Sequence, residues 1–275
     1  MKLGYLGPKG TFSEQAAMMY AAKCPYDCEY EMFLNITDVI SAVGDGIIDE
    51  GIVPLENSIE GTVTSTVDTL IFDAELYINS ELILSVNQNL MVKKGVCLND
   101  VKKIISHPQG LAQCRKYIKT TGISETVAVS STAEAAHIVS QGKGDTAAIA
   151  PKRAAEVYGL DIIGENIQDD GTNSTRFIVI SKHKPELKSG MMTSIAVSRD
   201  NDNSPGRLYK VLDILNIYEI NMIKIESRPA KHKLGTYVFC IDLVADDNED
   251  LKDAVKMLKR KVAFFKFLGS YSSIG

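Results

Sequence analysis

Hydrophobic positions along the chain fall in short runs separated by segments of helical period, the pattern that predicts α/β layers around a largely parallel sheet. Lys2–Leu6 reads as a strand, and Gly7-Pro8-Lys9-Gly10 turns the chain into a helix. That helix start carries a capping box: Thr11 can cap the backbone, and Glu14, three residues on, can reach back. The same style recurs with a strand at Glu50–Pro54, a helix at Thr62–Phe72, a strand at Lys103–Ser106 and a helix at Pro108–Thr120. A second capping box, Ser131 with Glu134, opens a helix to about Gln141. Thr146–Ala150 is then a strand, with Pro151 placed as a first helical residue. The strand Thr175–Ser181 closes the series.

Lys182–Met192 is polar and contains Pro and Gly, as linkers do, so a boundary belongs there. Beyond it come a strand at Thr193–Ser198, a helix from Pro205 capped by Ser204, strands at Met222–Ser227 and Tyr237–Val244, a helix at Asn248–Lys261 and a strand near Val262–Leu268. This βαββαβ order in about 80 residues predicts a ferredoxin-like unit over 193–275.

Composition narrows the picture. At 275 residues, two domains are expected. The 45% apolar and 24% charged residues suit a soluble globular protein with a sizeable core. A net charge of -5 argues against nucleic-acid or anionic-membrane partners. The N-terminus shows no apolar core of signal-peptide length, and no segment approaches about 18 consecutive apolar residues, so a cytoplasmic protein is expected. The 5 cysteines are scattered and odd in number, which suits reduced thiols. Cys24 and Cys28 are the one close pair, and neither a second pair nor a histidine cluster completes a metal site, so no metal is expected.

No GxGxxG, GxxxxGK[ST], HExxH or GxSxG motif is present, so no cofactor is expected. Four polar stretches remain, each at the end of a predicted strand: Gly7–Glu14 (GPKGTFSE), Pro54–Gly61 (PLENSIEG), Ser106–Cys114 (SHPQGLAQC) and Asn173–Phe177 (NSTRF). In a parallel α/β sheet the carboxyl ends of strands share one edge, where ligands bind, so several stretches can converge. Two of them open helices, whose unpaired N–H groups favour an anion, and the planar fork of Arg176 suits a carboxylate. The ligand expected is a small acid.

Each stretch also has a structural reading. Thr11 and Glu14 can be a helix cap and nothing more; Glu56, Asn57 and Ser58 can build a turn; His107 can be a base or be held by backbone hydrogen bonds. Ser106 lacks a paired His and Asp and reads as a hydrogen-bonding group. Arg176 can equally form an ion pair with Asp169 or Asp170.

Taken together, the four stretches resemble the prephenate dehydratase family across nearly the whole chain. Its TRF signature appears as Thr175-Arg176-Phe177, its ENS-x-EG element as Glu56-Asn57-Ser58-Ile59-Glu60-Gly61, and its SHPQ-x-LAQC element as Ser106–Cys114. The resemblance implies a catalytic domain at 1–181 folded like a type II periplasmic binding protein. Its subdomains would be about 1–76 with 161–181, and about 77–160, joined by a linker at 182–192 to an ACT regulatory domain at 193–275. It implies decarboxylating dehydration of prephenate to phenylpyruvate without a cofactor, with arogenate dehydratase as the close rival and a small-acid binding module as the non-enzymatic one.

Under that resemblance Arg176, or helix N–H groups, would anchor the pyruvyl carboxylate, and Thr175 would act at the departing hydroxyl. Asn57, Ser58, Ser106 and Gln113 would complete the polar lining, Thr11 and Glu56 would meet substrate, and Phe177 would pack the ring or the wall. Glu226-Ser227-Arg228-Pro229 matches an ESRP motif implicated in binding L-phenylalanine, with Gly206, Leu208 and Asn221 completing the effector site. Arg207 stands where the family usually has a small residue. Feedback at an interface between ACT domains implies a homodimer or homotetramer.

Overall fold

A computed structural model of the chain describes residues 1–198, 206–231 and 235–274. The first lobe opens with β1 (Lys2–Leu6), α1 (Phe12–Ala21), β2 (Glu29–Phe33), α2 (Ile36–Asp45) and β3 (Glu50–Asn57). It continues with the short β4 (Gly61–Thr62), α3 (Thr64–Phe72) and β5 (Tyr77–Ser85). The second lobe holds β6 (Asn89–Lys93), β7 (Lys103–Ser106), α4 (Pro108–Gln113), α5 (Arg115–Thr121) and β8 (Glu125–Ala128), then α6 (Thr132–Gln141), β9 (Thr146–Ala150), α7 (Lys152–Tyr158) and β10 (Leu160–Gly164). The chain returns to the first lobe as β11 (Ser174–Ser181). The C-terminal unit is β12 (Met192–Ser198), α8 (Arg207–Ile217), β13 (Asn221–Pro229), β14 (Tyr237–Val244), α9 (Asn248–Lys261) and β15 (Phe264–Ser273). The expected helix start at Ser204 and Pro205 lies outside the described residues.

The fold is mixed α/β. One sheet runs β13-β14-β12-β15-β5-β11-β3-β1-β2, and a second runs β10-β6-β9-β7-β8. The sheets are less parallel than the sequence suggests. β1 is parallel to β2 and β3, and β7 to β8 and β9. The strands that carry the chain between lobes run the other way: β11 is antiparallel to β3 and β5, and β6 to β9 and β10. These pairings move the lobe boundaries expected from sequence, since β5 lies in the first sheet and β10 in the second. The crossings are therefore the short segments 86–88 and 165–173.

Phe177, Ile178, Val179 and Ile180 of β11 are all buried, as a strand covered on both faces requires. Thr175, Phe177 and Val179 share one face of the strand and Arg176, Ile178 and Ile180 the other. Phe177 and Val179 pack with Leu3, Tyr5 and Ala16, on the α1 side. Ile178 and Ile180 pack with Val39 and Val53, and this same core takes in Ala196, Leu268 and Tyr271 of the C-terminal unit. The C-terminal unit is thus joined to the first lobe by a continuous apolar core and by parallel pairing of β15 with β5. Gly269 makes that approach possible, because a Cβ there would lie 2.2 Å from the carbonyl oxygen of Ile78.

The helix expected at Pro108–Thr120 is broken at Cys114, whose backbone takes φ -112 and ψ 20. The cause lies in the return crossing. Asp169 donates its N–H to the carbonyl of Gln113 at 2.6 Å, taking an acceptor that a continuous helix would use. Its carboxylate then accepts the backbone N–H of Lys116 at 3.0 Å and caps α5.

Candidate active site

β1 and β3 end at one edge of the first sheet, and β11 begins there because it runs antiparallel to β3, which places Thr175 directly opposite Asn57. A cleft of about 630 Å³ opens at this edge, within the range of small-molecule sites. Both lobes contribute: Thr11, Asn57 and Thr175 from the first face His107, Gln113 and Ser131 from the second. A depression of about 730 Å³ elsewhere, lined by Lys184, Lys188, Lys252 and Lys259, includes none of the four polar stretches.

Asn57 is fixed at both ends of its amide. Its Oδ1 accepts the backbone N–H groups of Ile59 and Glu60 at 3.0 and 3.1 Å, the turn that the ENS stretch builds. Its Nδ2 donates to Asn173 Oδ1 at 2.9 Å and to Thr175 Oγ1 at 3.0 Å. The Thr175 oxygen therefore acts as an acceptor toward Asn57, and the hydroxyl proton is left for the cleft. Ser58 lines no part of this cleft among the described residues; its Oγ accepts the N–H of Ser174 at 3.0 Å and holds the mouth of β11 in place.

Arg176, one residue on, points to the opposite face of the sheet. Its Nε donates to Glu81 at 2.7 Å, Nη1 to Asp242 at 2.8 Å and Nη2 to the Tyr271 hydroxyl at 2.9 Å, with 14% of the side chain exposed. This corrects the expectation of a carboxylate anchor inside the cleft, and the reason is the strand period of two: if Thr175 faces the cleft, Arg176 cannot. The alternative pair with Asp169 or Asp170 does not form either, since Asp169 caps α5 and Asp170 accepts from the Thr172 N–H and hydroxyl. Burial opposes the guanidinium charge, but Tyr271 and Asp242 more than offset it and hold Arg176 above its ordinary pKa. Burial likewise pushes the Tyr271 phenol up.

Three other expected site residues sit outside the cleft lining. Glu56 pairs with Lys224 of the C-terminal unit at 2.8 Å. Ser106 is wholly buried and donates to the Ile149 carbonyl at 2.6 Å, tying β7 to β9 beneath Gly110. Phe177 lies in the core on the same strand face as Thr175, so it supports that residue and does not reach a ligand. Of the nine residues expected from sequence, Thr11, Asn57, Gln113 and Thr175 line the cleft.

Among its described lining residues the cleft holds no lysine or arginine. What it presents to an anion is the start of α1, capped by Thr11, and the start of α6, capped by Ser131, one from each lobe. Glu14 completes the α1 cap by accepting the Gly10 N–H at 2.6 Å, and it also meets Arg153 of the second lobe at 3.2 Å. The His107 Nδ1 accepts the Gln109 N–H at 3.3 Å, so it caps α4 while its ring borders the cleft. Gln88, in the first crossing, also lines the cleft and belongs to no motif that could have announced it. The Cys114 thiol is pushed up to about 12, by burial first and Asp169 second, so it stays protonated.

The ESRP stretch lies on β13, the outer strand of the sheet. Glu226 accepts from the Thr62 hydroxyl at 2.5 Å, and Arg228 grips Asp68 of α3 through Nε at 2.8 Å and Nη2 at 3.1 Å. Thr62 of β4 lines the cleft, so β13 touches a cleft-lining strand directly. Gly206 caps α8 with φ 80, Leu208 follows in its first turn, and Asn221 begins β13. Asn221 and Pro229, at the two ends of an extended strand, are ~26 Å apart at about 3.3 Å per residue.

Residues 3–185 match the family model for prephenate dehydratase. A prephenate dehydratase of Methanocaldococcus jannaschii is 40% identical over 274 residues, covering 97% of this chain and 96% of that one. An Arabidopsis thaliana protein named arogenate dehydratase/prephenate dehydratase 2 is 32% identical, covering 98% of this chain and 72% of its own length. The crystal structure of a prephenate dehydratase from Arthrobacter aurescens in complex with L-Phe matches with a TM-score of 0.88 at 33% identity, covering 99% of this chain and 90% of that one. A family model spanning most of the chain, together with relatives matched nearly end to end, establishes that the chain belongs to the prephenate dehydratase family.

Proposed function

We propose that the chain converts prephenate to phenylpyruvate, and that the cleft between the two lobes is where it does so. The observation that carries the site is the Asn57–Thr175 hydrogen bond, which turns the threonine proton toward the cleft. In the reaction the ring C–O bond breaks and the hydroxyl leaves, with one added proton, as water. The ring carboxylate leaves as carbon dioxide, and its bonding electrons complete the aromatic ring. Aromaticity drives the step, so the protein need only position the substrate and stabilise charge.

Thr175 hydrogen-bonds the departing oxygen. A free threonine is a poor acid, so its role is to orient and stabilise that oxygen. With Arg176 turned away, the pyruvyl carboxylate is held by the N–H groups at the start of α1 or α6. The ring carboxylate is best left without an ion pair, because a paired carboxylate resists loss of its charge as carbon dioxide.

The catalytic region reads as a domain of the type II periplasmic-binding-protein kind, and the C-terminal βαββαβ unit as a ferredoxin-like ACT domain. The sheet order β13-β14-β12-β15 supports the second assignment. The Arthrobacter relative carries L-Phe, which supports phenylalanine as effector here. Because Asn221 and Pro229 sit at opposite ends of one strand, a single copy does not gather the effector residues around one phenylalanine. The site is therefore built between two copies, which makes the enzyme a homo-oligomer.

The decisive test supplies prephenate and arogenate side by side at neutral pH and follows phenylpyruvate and phenylalanine. Turnover of prephenate is expected; turnover of arogenate alone would reassign the substrate, and turnover of neither would refute the proposal.

A further inference from the structure

Gln88 sits at the end of the first crossing between the lobes and is 3% exposed. Its backbone is pinned on both sides by the return crossing. The N–H donates to Gln168 Oε1 at 3.0 Å, and the carbonyl accepts from the Ile167 N–H at 2.8 Å. Its side-chain Nε2 donates to Gln113 Oε1 at 3.4 Å. The other end of the amide, Oε1, is buried and has no hydrogen-bond partner among the described residues. A buried carbonyl oxygen without a donor is costly and rare, and this one belongs to a residue that lines the cleft. A rigidly mounted acceptor there calls for a donor from the ligand.

Prephenate, the substrate on which this inference rests, offers little choice. At neutral pH its two carboxylates and its keto oxygen only accept, and the ring hydroxyl is its one O–H donor. We infer that Gln88 Oε1 accepts the hydrogen bond of that ring hydroxyl. Thr175 donates to the same oxygen from the first lobe, so the leaving group is held through its proton on one side and a lone pair on the other. Both contacts fix the orientation of the C–O bond before it breaks. Gln88 then acts as a specificity determinant for the hydroxylated ring, mounted on the crossing that joins the two lobes.

Phenylpyruvate provides the control, because it has lost the ring hydroxyl. Gln88→Leu and Gln88→Met both delete the acceptor while keeping an apolar side chain of similar reach. Both variants are expected to lower kcat/KM for prephenate about thirtyfold and to change phenylpyruvate binding, measured by calorimetry, less than about twofold. Unchanged prephenate kinetics in both variants would overturn the inference. So would a parallel loss of phenylpyruvate binding, which would mark Gln88 as a structural support. Wild-type turnover of prephenate in the same assay checks the underlying substrate separately.

Discussion

The Arg176 guanidinium donates to the Asp242 carboxylate at 2.8 Å, so the residue following Thr175 is bound into the C-terminal unit. Glu81 and Tyr271 complete a buried cluster that spans first lobe and C-terminal unit. Removing the cation while leaving two carboxylates behind is the expensive way to break such a cluster. Arg176→Ala should cost about 3 to 5 kcal/mol in urea unfolding. Arg176→Lys keeps the charge but cannot reach three partners, and should destabilise while leaving the prephenate KM within about twofold. A large rise in KM without loss of stability would return Arg176 to the substrate site.

Thr175 tests the other face of the strand. Thr175→Ala should lower kcat roughly a hundredfold, about 2.7 kcal/mol, with a smaller change in KM. Thr175→Ser keeps the hydroxyl and should retain most activity. Asn57→Ala removes the donor that orients that hydroxyl and should also act mainly on kcat. Wild-type turnover by Thr175→Ala would remove the residue from the mechanism.

The effector side has its own test. Arg228 is held by Asp68 in this structure, and a phenylalanine that uses Arg228 must compete with that carboxylate. Asp68→Asn should therefore tighten L-phenylalanine binding severalfold in calorimetry, and Arg228→Ala should abolish it. Weaker binding in Asp68→Asn would mean that the ion pair belongs to the effector-bound state.

How far the sequence could be read depends on the range of the interaction involved. Thr11, Asn57 and Thr175 each sit in a local signal, a cap, a turn and a strand mouth, whereas Gln113, the last residue of α4, entered only through the resemblance of SHPQGLAQC. The burial of Phe177–Ile180 was legible from the apolar run. Arg176 was misplaced because TRF reads as one unit, whereas a strand sends neighbours to opposite faces, and its partner Asp242 is far along the chain. Ser106 was misplaced for the same reason, its acceptor being the carbonyl of Ile149 on another strand. Gln88 left no mark at all, since nothing in VNQN distinguishes a crossing from a strand. The break at Cys114 was invisible because its cause, Asp169, arrives from the return crossing.

Cys114 gives a pH-dependent prediction. Its folded pKa, raised to about 12, lies above the ordinary thiol value of about 8.5. The folded state thus holds the proton more tightly than the unfolded state. That contribution to stability is complete below about pH 8.5 and is lost progressively as pH rises toward the folded value. Stability should therefore fall with rising pH above about 8.5, and less so in a Cys114→Ala variant, although that variant starts lower because of the cavity it creates. Reactivity should follow the same order, since the thiolate is the nucleophile. Iodoacetamide at pH 8 should label exposed Cys97 in the native protein and reach Cys114 only after unfolding. Labelling of Cys114 in the folded protein at a rate matching Cys97, read by peptide mass mapping, would show that the α4–α5 break opens readily and that its thiol is not held in the core.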